Sequence, residues 1–119
     1  MTLKELQGII EDRFLDIVKD TLEPSPEKLR LILKDNSFID LRLSQKIKGR
    51  FDFHWERRHI NGTIYRYDNF PNTRFRHLKT FPYHFHYQKE NKVKESPFRK
   101  NLPGSLIDFL EFVRKTILE

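Results

Sequence analysis

The sequence predicts an α+β fold with an N-terminal helix, an antiparallel meander of about five strands and a C-terminal helix, both helices lying on one sheet face. Three observations predict it. Apolar residues recur at helical spacing at both ends of the chain. Between those ends the apolar period switches to two. Turn signals, Asp35-Asn36 and Asn61-Gly62, punctuate the alternating stretch. At 119 residues the chain fits one domain, 1–119.

The first helix is expected from Thr2 to Asp20. Thr2 can cap it, and Glu5 completes a capping box three residues on. Leu3, Leu6, Ile10, Phe14, Ile17 and Val18 form one apolar stripe, and Pro24-Ser25-Pro26 closes the element. Leu29, Leu31 and Leu33 then alternate with polar or outward positions. After the Asp35-Asn36 turn, Ile39, Leu41 and Leu43 do the same, which makes a hairpin. Phe51, Phe53 and Trp55 mark a third strand, and Ile64 to Asp68 a fourth. Residues 69–79 read as a loop. A fifth strand runs from Tyr83 to Gln88, with Pro82 at its start where a missing N–H matters least. Lys89 to Pro103 reads as a long loop, functional or mobile, with a short strand candidate at Val93. The last helix opens at Gly104 or Ser105, with Asp108 as the partner of a weaker capping box. Leu106, Phe109, Leu110, Val113 and Ile117 form its apolar face.

Composition narrows the function classes. No cysteine is present, which excludes disulfides, Cys-ligated zinc and thiol catalysis, and fits a cytoplasmic protein. No apolar run reaches the roughly 18 residues of a membrane helix, and the N-terminus lacks a signal-peptide pattern, so no membrane partner is expected. The charge is uneven. Residues 42–100 carry 15 Lys/Arg against 5 Asp/Glu, whereas residues 1–41 carry 6 against 9. A polyanion is attracted to the middle segment, and RNA is the first partner to consider. P-loop, dinucleotide, serine-hydrolase and zinc-protease signatures are missing.

Alternation converts these strands into faces. In the third strand His54, with Asp52 and Glu56, points away from the aromatic side. The fourth strand leaves its phase open, because Ile64 and the tyrosines Tyr65 and Tyr67 are core-type residues on opposite faces. With the tyrosines inward, Arg66 and Asp68 join His54. His84 and His86 share a face of the fifth strand, opposite Tyr83, Phe85 and Tyr87. One polar sheet face then collects His54, Arg66, Asp68, His84 and His86.

Three chemistries can use such a face. In metal-independent RNA cleavage, His84 and His86, with His54 and Asp68, do acid–base work around a 2′-hydroxyl attack, while Arg66 and Lys79 hold phosphate. No cofactor is then needed. In a metal-dependent hydrolase, His84, His86 and Asp68 form a two-histidine, one-carboxylate ligand set. In plain nucleic-acid binding, Arg57, Arg58, Arg66, Arg74, Arg76 and Lys79 contact phosphates and aromatic rings stack on bases.

Three segments, Phe51-Asp52-Phe53-His54-Trp55, Arg66-Tyr67-Asp68-Asn69-Phe70-Pro71 and Lys79-Thr80-Phe81-Pro82-Tyr83-His84-Phe85-His86, resemble in order and spacing the TumE-type family of small proteins from prokaryotic toxin–antitoxin pairs. The likeness extends over residues 28–118. It implies an α+β domain, a toxin role and a cognate antitoxin as protein partner, and it puts His54, Asp68, Asn69, His84 and His86 at motif positions. Two departures stand out. Asn72-Thr73 replaces a His-His pair, and Tyr83 replaces the first histidine of the last segment. The resemblance therefore implies a weakened site if those histidines are catalytic in relatives.

Overall fold

The computed structural model describes residues 1–119. It has helix α1 (Leu3–Arg13), strands β1 (Val18–Ser25), β2 (Lys28–Leu33), β3 (Phe38–Leu43) and β4 (Phe51–Arg57), a one-turn helix α2 (Arg58–Asn61), β5 (Thr63–Asp68), a 3₁₀ turn at Thr73–Phe75, β6 (His84–Gln88), β7 (Val93–Glu95) and α3 (Gly104–Leu118). The seven strands form one antiparallel meander in sequence order, two more than expected.

The additional strands lie at the two edges. β1 occupies the end of the expected first helix and the segment after it. That helix stops at Arg13, where Phe14 donates its N–H to the Ile10 carbonyl and the chain turns. Ile17 and Val18 are buried, but from this turn and the strand start rather than from the helix. Their spacing from Phe14 imitates a helical stripe. Beyond Val18 the strand is mostly exposed, and irregular pairing at Val18/Asp20 and Leu22/Ser25 erases its alternation. Such bulges, and Pro24, discourage a second chain from adding to this edge. β7 supplies the opposite, very short edge at Val93.

Helix and sheet period place the core on one face. Leu29, Leu31, Leu33, Ile39, Leu41, Phe51, Phe53, Trp55, Tyr65, Tyr67 and Phe85 meet Leu6, Ile10 and Phe14 of α1 and Leu106, Phe109, Leu110 and Val113 of α3. Both helices therefore cover the same side. The phase left open in β5 resolves with Tyr65 and Tyr67 inward. Phe112 of α3 packs edge-on against Trp55, Tyr65 and Phe85. Arg114 ties the helices together through Asp16 and the Arg13 carbonyl.

Two local expectations are corrected. The Asn61-Gly62 turn is the end of α2, with Gly62 at φ +79°, a left-handed conformation that glycine adopts without a Cβ penalty. Ser105 does not cap α3. It is buried inside the first turn, its hydroxyl unpartnered, while Asp108 accepts from the Arg99 N–H and guanidinium. The segment before α3 is also well anchored rather than loose. Phe98 packs on Tyr67, Phe85, Phe109 and Phe112, and the Tyr67 hydroxyl donates to the Arg99 carbonyl at 2.8 Å.

Candidate functional site

The face away from the helices carries the polar residues in cross-strand rows. Asp52 pairs with Asp68, and Asp68 with His84. In the next row His54 pairs with Arg66, and Arg66 with His86. Above the first row a cleft of about 820 Å³ opens. Asp68, His84 and His86 lie in its floor, buried to 5%, 3% and 6% exposure. Phe70, Asn72, Arg74 and Phe75 form one wall, where Asn72 caps the 3₁₀ turn by accepting the Arg74 N–H. The β3–β4 connection, with Lys46, Ile47 and Arg50, forms the other.

The hydrogen bonds orient both imidazoles. His84 Nδ1 lies 2.9 Å from the Pro82 carbonyl, and His86 Nδ1 lies 2.7 Å from the Glu90 carbonyl. A carbonyl only accepts, so each Nδ1 carries a hydrogen and each Nε2 is left to face the cleft. The His84 Nε2 lies 3.1 Å from Asp68 Oδ1, whereas the His86 Nε2 is 3.8 Å from Oδ2, beyond hydrogen-bond reach. A close nitrogen–oxygen contact needs a proton between the two. With Nδ1 already protonated, that proton makes His84 an imidazolium facing a carboxylate.

Electrostatics separates the pair further. Burial depresses the His84 pKa, but the hydrogen bond and charge of Asp68 and the Pro82 carbonyl outweigh it, and the net value is raised above 6.5. Burial dominates at His86. The Glu90 carbonyl offsets it only in part and Arg66 adds repulsion, so its pKa falls below 6.5. Two rings 5.1 Å apart are thus biased toward opposite protonation states. Asp52 borders them. Burial, then the charge of Asp68, raises its pKa, and its Oδ1 has no hydrogen-bond partner.

The ligand atoms of Asp68, His84 and His86 all lie within 4.8 Å of one another, a spacing one metal ion can bridge. The proton in the His84–Asp68 contact competes for the same place. Metal loading and a charged His84 therefore exclude each other at this site.

The family comparison extends the picture. A family model described as Toxin TumE matches residues 4–117. The chain belongs to the TumE toxin family. No curated protein and no solved structure matched it. Membership makes this a toxin of a toxin–antitoxin pair, with a cognate antitoxin as partner. No helix is long and apolar enough to cross a membrane.

This TumE chain gathers some of the expected site residues and not others. Asp68, His84, His86, Arg66 and Arg74 line the cleft. His54 shares the sheet face but stays outside the cleft lining, where it contacts Glu56 at 3.2 Å and the Arg66 Nε at 3.4 Å. Arg57 points to the helix side, its guanidinium 4.6 Å from the Trp55 ring centre and 3.3 Å from Asp35. Arg58 hydrogen-bonds to Glu56, and that contact pulls the Glu56 pKa down to about 2. Arg76 and Lys79 are exposed on the loop, away from the cleft lining. Asn69 is structural. Its side chain accepts the Phe51 N–H and donates to the Gly49 carbonyl, which holds the β3–β4 connection against β5.

The TumE departures also find their places. Tyr83 has the opposite phase to His84 and packs near Phe51 and Tyr67 on the helix side. A histidine at that position would not reach the cleft floor. Sequence reasoning missed Arg42, Lys46, Arg50, Phe70 and Phe75. Arg42 was in phase with the open face, and Lys46 and Arg50 sit in a basic turn, so a signal existed for these three. Phe70 and Phe75 lie in a loop without period and carried none.

Proposed function

We propose that this TumE protein is a metal-independent ribonuclease that cleaves RNA through its own 2′-hydroxyl. The observation that carries the reading is geometric: two neighbouring imidazoles, ring centres 5.1 Å apart, each held at Nδ1 by a backbone carbonyl so that Nε2 turns toward one cleft beside Asp68. Pairs of groups whose surroundings push their pKa values apart mark acid–base assignments.

In this reading His86 is the base. Its free Nε2 takes the proton of the 2′-hydroxyl, and the 2′-oxygen forms a bond to phosphorus. His84 is the acid. Its Nε2 proton leaves the hydrogen bond to Asp68 Oδ1 and passes to the 5′-oxygen as the P–O bond breaks. The products are a 2′,3′-cyclic phosphate and a 5′-hydroxyl. Asp68 keeps the proton on His84 and fixes the ring, while Arg66 faces the developing charge on the phosphorane. At the rim, Arg42, Lys46 and Arg74 enter no ion pair, which leaves them available for the flanking phosphates. RNA is therefore the polyanion of choice, and an antitoxin that covers the cleft suffices to neutralise the toxin.

The test is cleavage of single-stranded RNA by the purified protein with and without a chelator. Activity should persist in chelator, leave cyclic phosphate ends, and spare a substrate whose 2′-hydroxyls are replaced by hydrogen. Activity that needs added divalent metal, or survives in a His84→Ala/His86→Ala double variant, would refute the mechanism.

A further inference from the structure

Phe70 is a large apolar side chain left 52% exposed at the wall of the cleft. Isolated exposed phenylalanines are ordinary on protein surfaces, but this one is unusually well mounted. Its N–H donates to Asp68 Oδ1 at 3.0 Å, and its carbonyl accepts the Asn72 N–H at 2.8 Å. The Arg50 guanidinium lies 4.7 Å from its ring centre. The backbone is clamped on both sides, and a cation covers part of the ring.

The same Asp68 oxygen that holds Phe70 also contacts His84. The ring is therefore tied through one atom to the residue that would release the leaving group. A preorganised aromatic face beside a cation matches the two needs of a single-stranded nucleotide, a π surface for its base and a charge for its phosphate. Base pairs inside a duplex are already stacked and cannot use it.

We propose that Phe70 is the stacking platform for one unpaired nucleobase next to the scissile phosphate, and that Arg50 backs the ring and contacts that nucleotide's phosphate. The proposal rests on reading the cleft as an RNA site and adds to it a substrate class, single-stranded RNA with one base splayed out. Phe75, half-buried and packed at 4.8 Å on the His84 ring, serves the floor rather than the base.

A double-mutant cycle between protein and ligand tests this. The ligand is a short single-stranded oligonucleotide, 2′-O-methylated throughout so that it cannot be cut, with one abasic position moved along it. The full chain is compared with Phe70→Leu and Phe70→Tyr, each checked for an unchanged unfolding transition. With the unmodified chain, one abasic position should weaken binding by about tenfold, the scale of a single base stack. In Phe70→Leu the parent oligonucleotide should bind about tenfold more weakly and that positional penalty should vanish, while Phe70→Tyr keeps the affinity and the penalty of the unmodified chain. Equal affinity for Phe70→Leu, or a positional penalty that survives in it, would overturn the platform while leaving the RNA reading intact. So would a variant that loses only antitoxin binding, which would make Phe70 a protein contact. Absence of any oligonucleotide binding by the unmodified chain would overturn both readings together.

Discussion

Asp68 and His84 are cross-strand partners whose side chains meet at 3.1 Å under a cleft, with the far nitrogen of His84 held by the Pro82 carbonyl. A hydrogen-bonded acceptor on each side of one imidazole favours its charged form, and the raised pKa of His84 agrees with that geometry. His86, two residues on, has a carbonyl partner on one nitrogen only.

The pH dependence of the proposed cleavage follows from this contrast. His86 must be neutral and His84 charged. The pKa of His86 is lowered and that of His84 raised, so around pH 6.5 the two conditions are met together more often than they would be for two unperturbed histidines. The rate should rise with pH on the acid side as His86 loses its proton and fall on the alkaline side as His84 loses its own. Steady-state rates across pH give this bell, whose two apparent values belong to the coupled pair. A rate that rises monotonically through neutrality would contradict it. His86→Ala should lose about 10²–10⁴-fold in rate at the optimum.

Asp68→Asn should shift His84. The Asp68 hydrogen bond and charge are what lift its pKa against burial, so their removal should bring the titration below 6.5. Imidazole NMR signals followed against pH would show it. The linked stability has a definite sign. The raised pKa stabilises the fold fully at pH below the unfolded-chain value of about 6.5, and that contribution is lost as pH climbs through the folded value. Asp68→Asn should therefore remove this acid-side stabilisation and, with the folded value now below the unfolded one, make the His84 contribution rise with pH instead, read from denaturant midpoints at several pH values.

Charge reversal at the rim should weaken RNA binding without altering the fold. Arg42→Glu, Lys46→Glu and Arg74→Glu are at exposed positions. Each cation that neutralises a single-strand phosphate adds about 0.7 to the slope of log affinity against log salt, and each reversal should remove at least that much. Arg57→Glu offers the contrast. Its guanidinium serves Trp55 and Asp35, so it should lower stability and leave the salt slope unchanged.

Ser37→Ala should destabilise the protein by about 1–3 kcal/mol, the cost of a buried donor left without an acceptor. The indole of Trp55 donates to the Ser37 hydroxyl at 2.8 Å, and both residues are fully buried. Trp55 is the one tryptophan, so its fluorescence reports unfolding directly.

Much of this was legible in the chain because alternation in β2 and β4 has only one sensible phase, although that of β5 stayed open until Tyr65 and Tyr67 were seen to face the helices. Leu29, Leu31 and Leu33, then Phe51, Phe53 and Trp55, could face only a core, and the histidines followed to the other side. The failures have physical causes. Ile17 and Val18 continued a helical stripe because a turn can bury residues at the same spacing. β1 showed no alternation because an edge strand is paired on one side only and this one is bulged. Arg57 was read as a phosphate contact from its charge, although it shares parity with Trp55. Phe70 was invisible because a loop residue's exposure depends on what holds the loop, here Asp68 and Asn72.

The placement of α3 has a consequence for how this toxin comes into being. Its Phe109 and Phe112 lie across Phe53, Trp55, Tyr65 and Phe85, so the sheet that carries the cleft rests on the helix encoded after it. A chain emerging from the ribosome presents Asp68, His84 and His86 well before α3 exists to support them. Because a domain folds as a unit, the cleft is complete only once α3 has been synthesised.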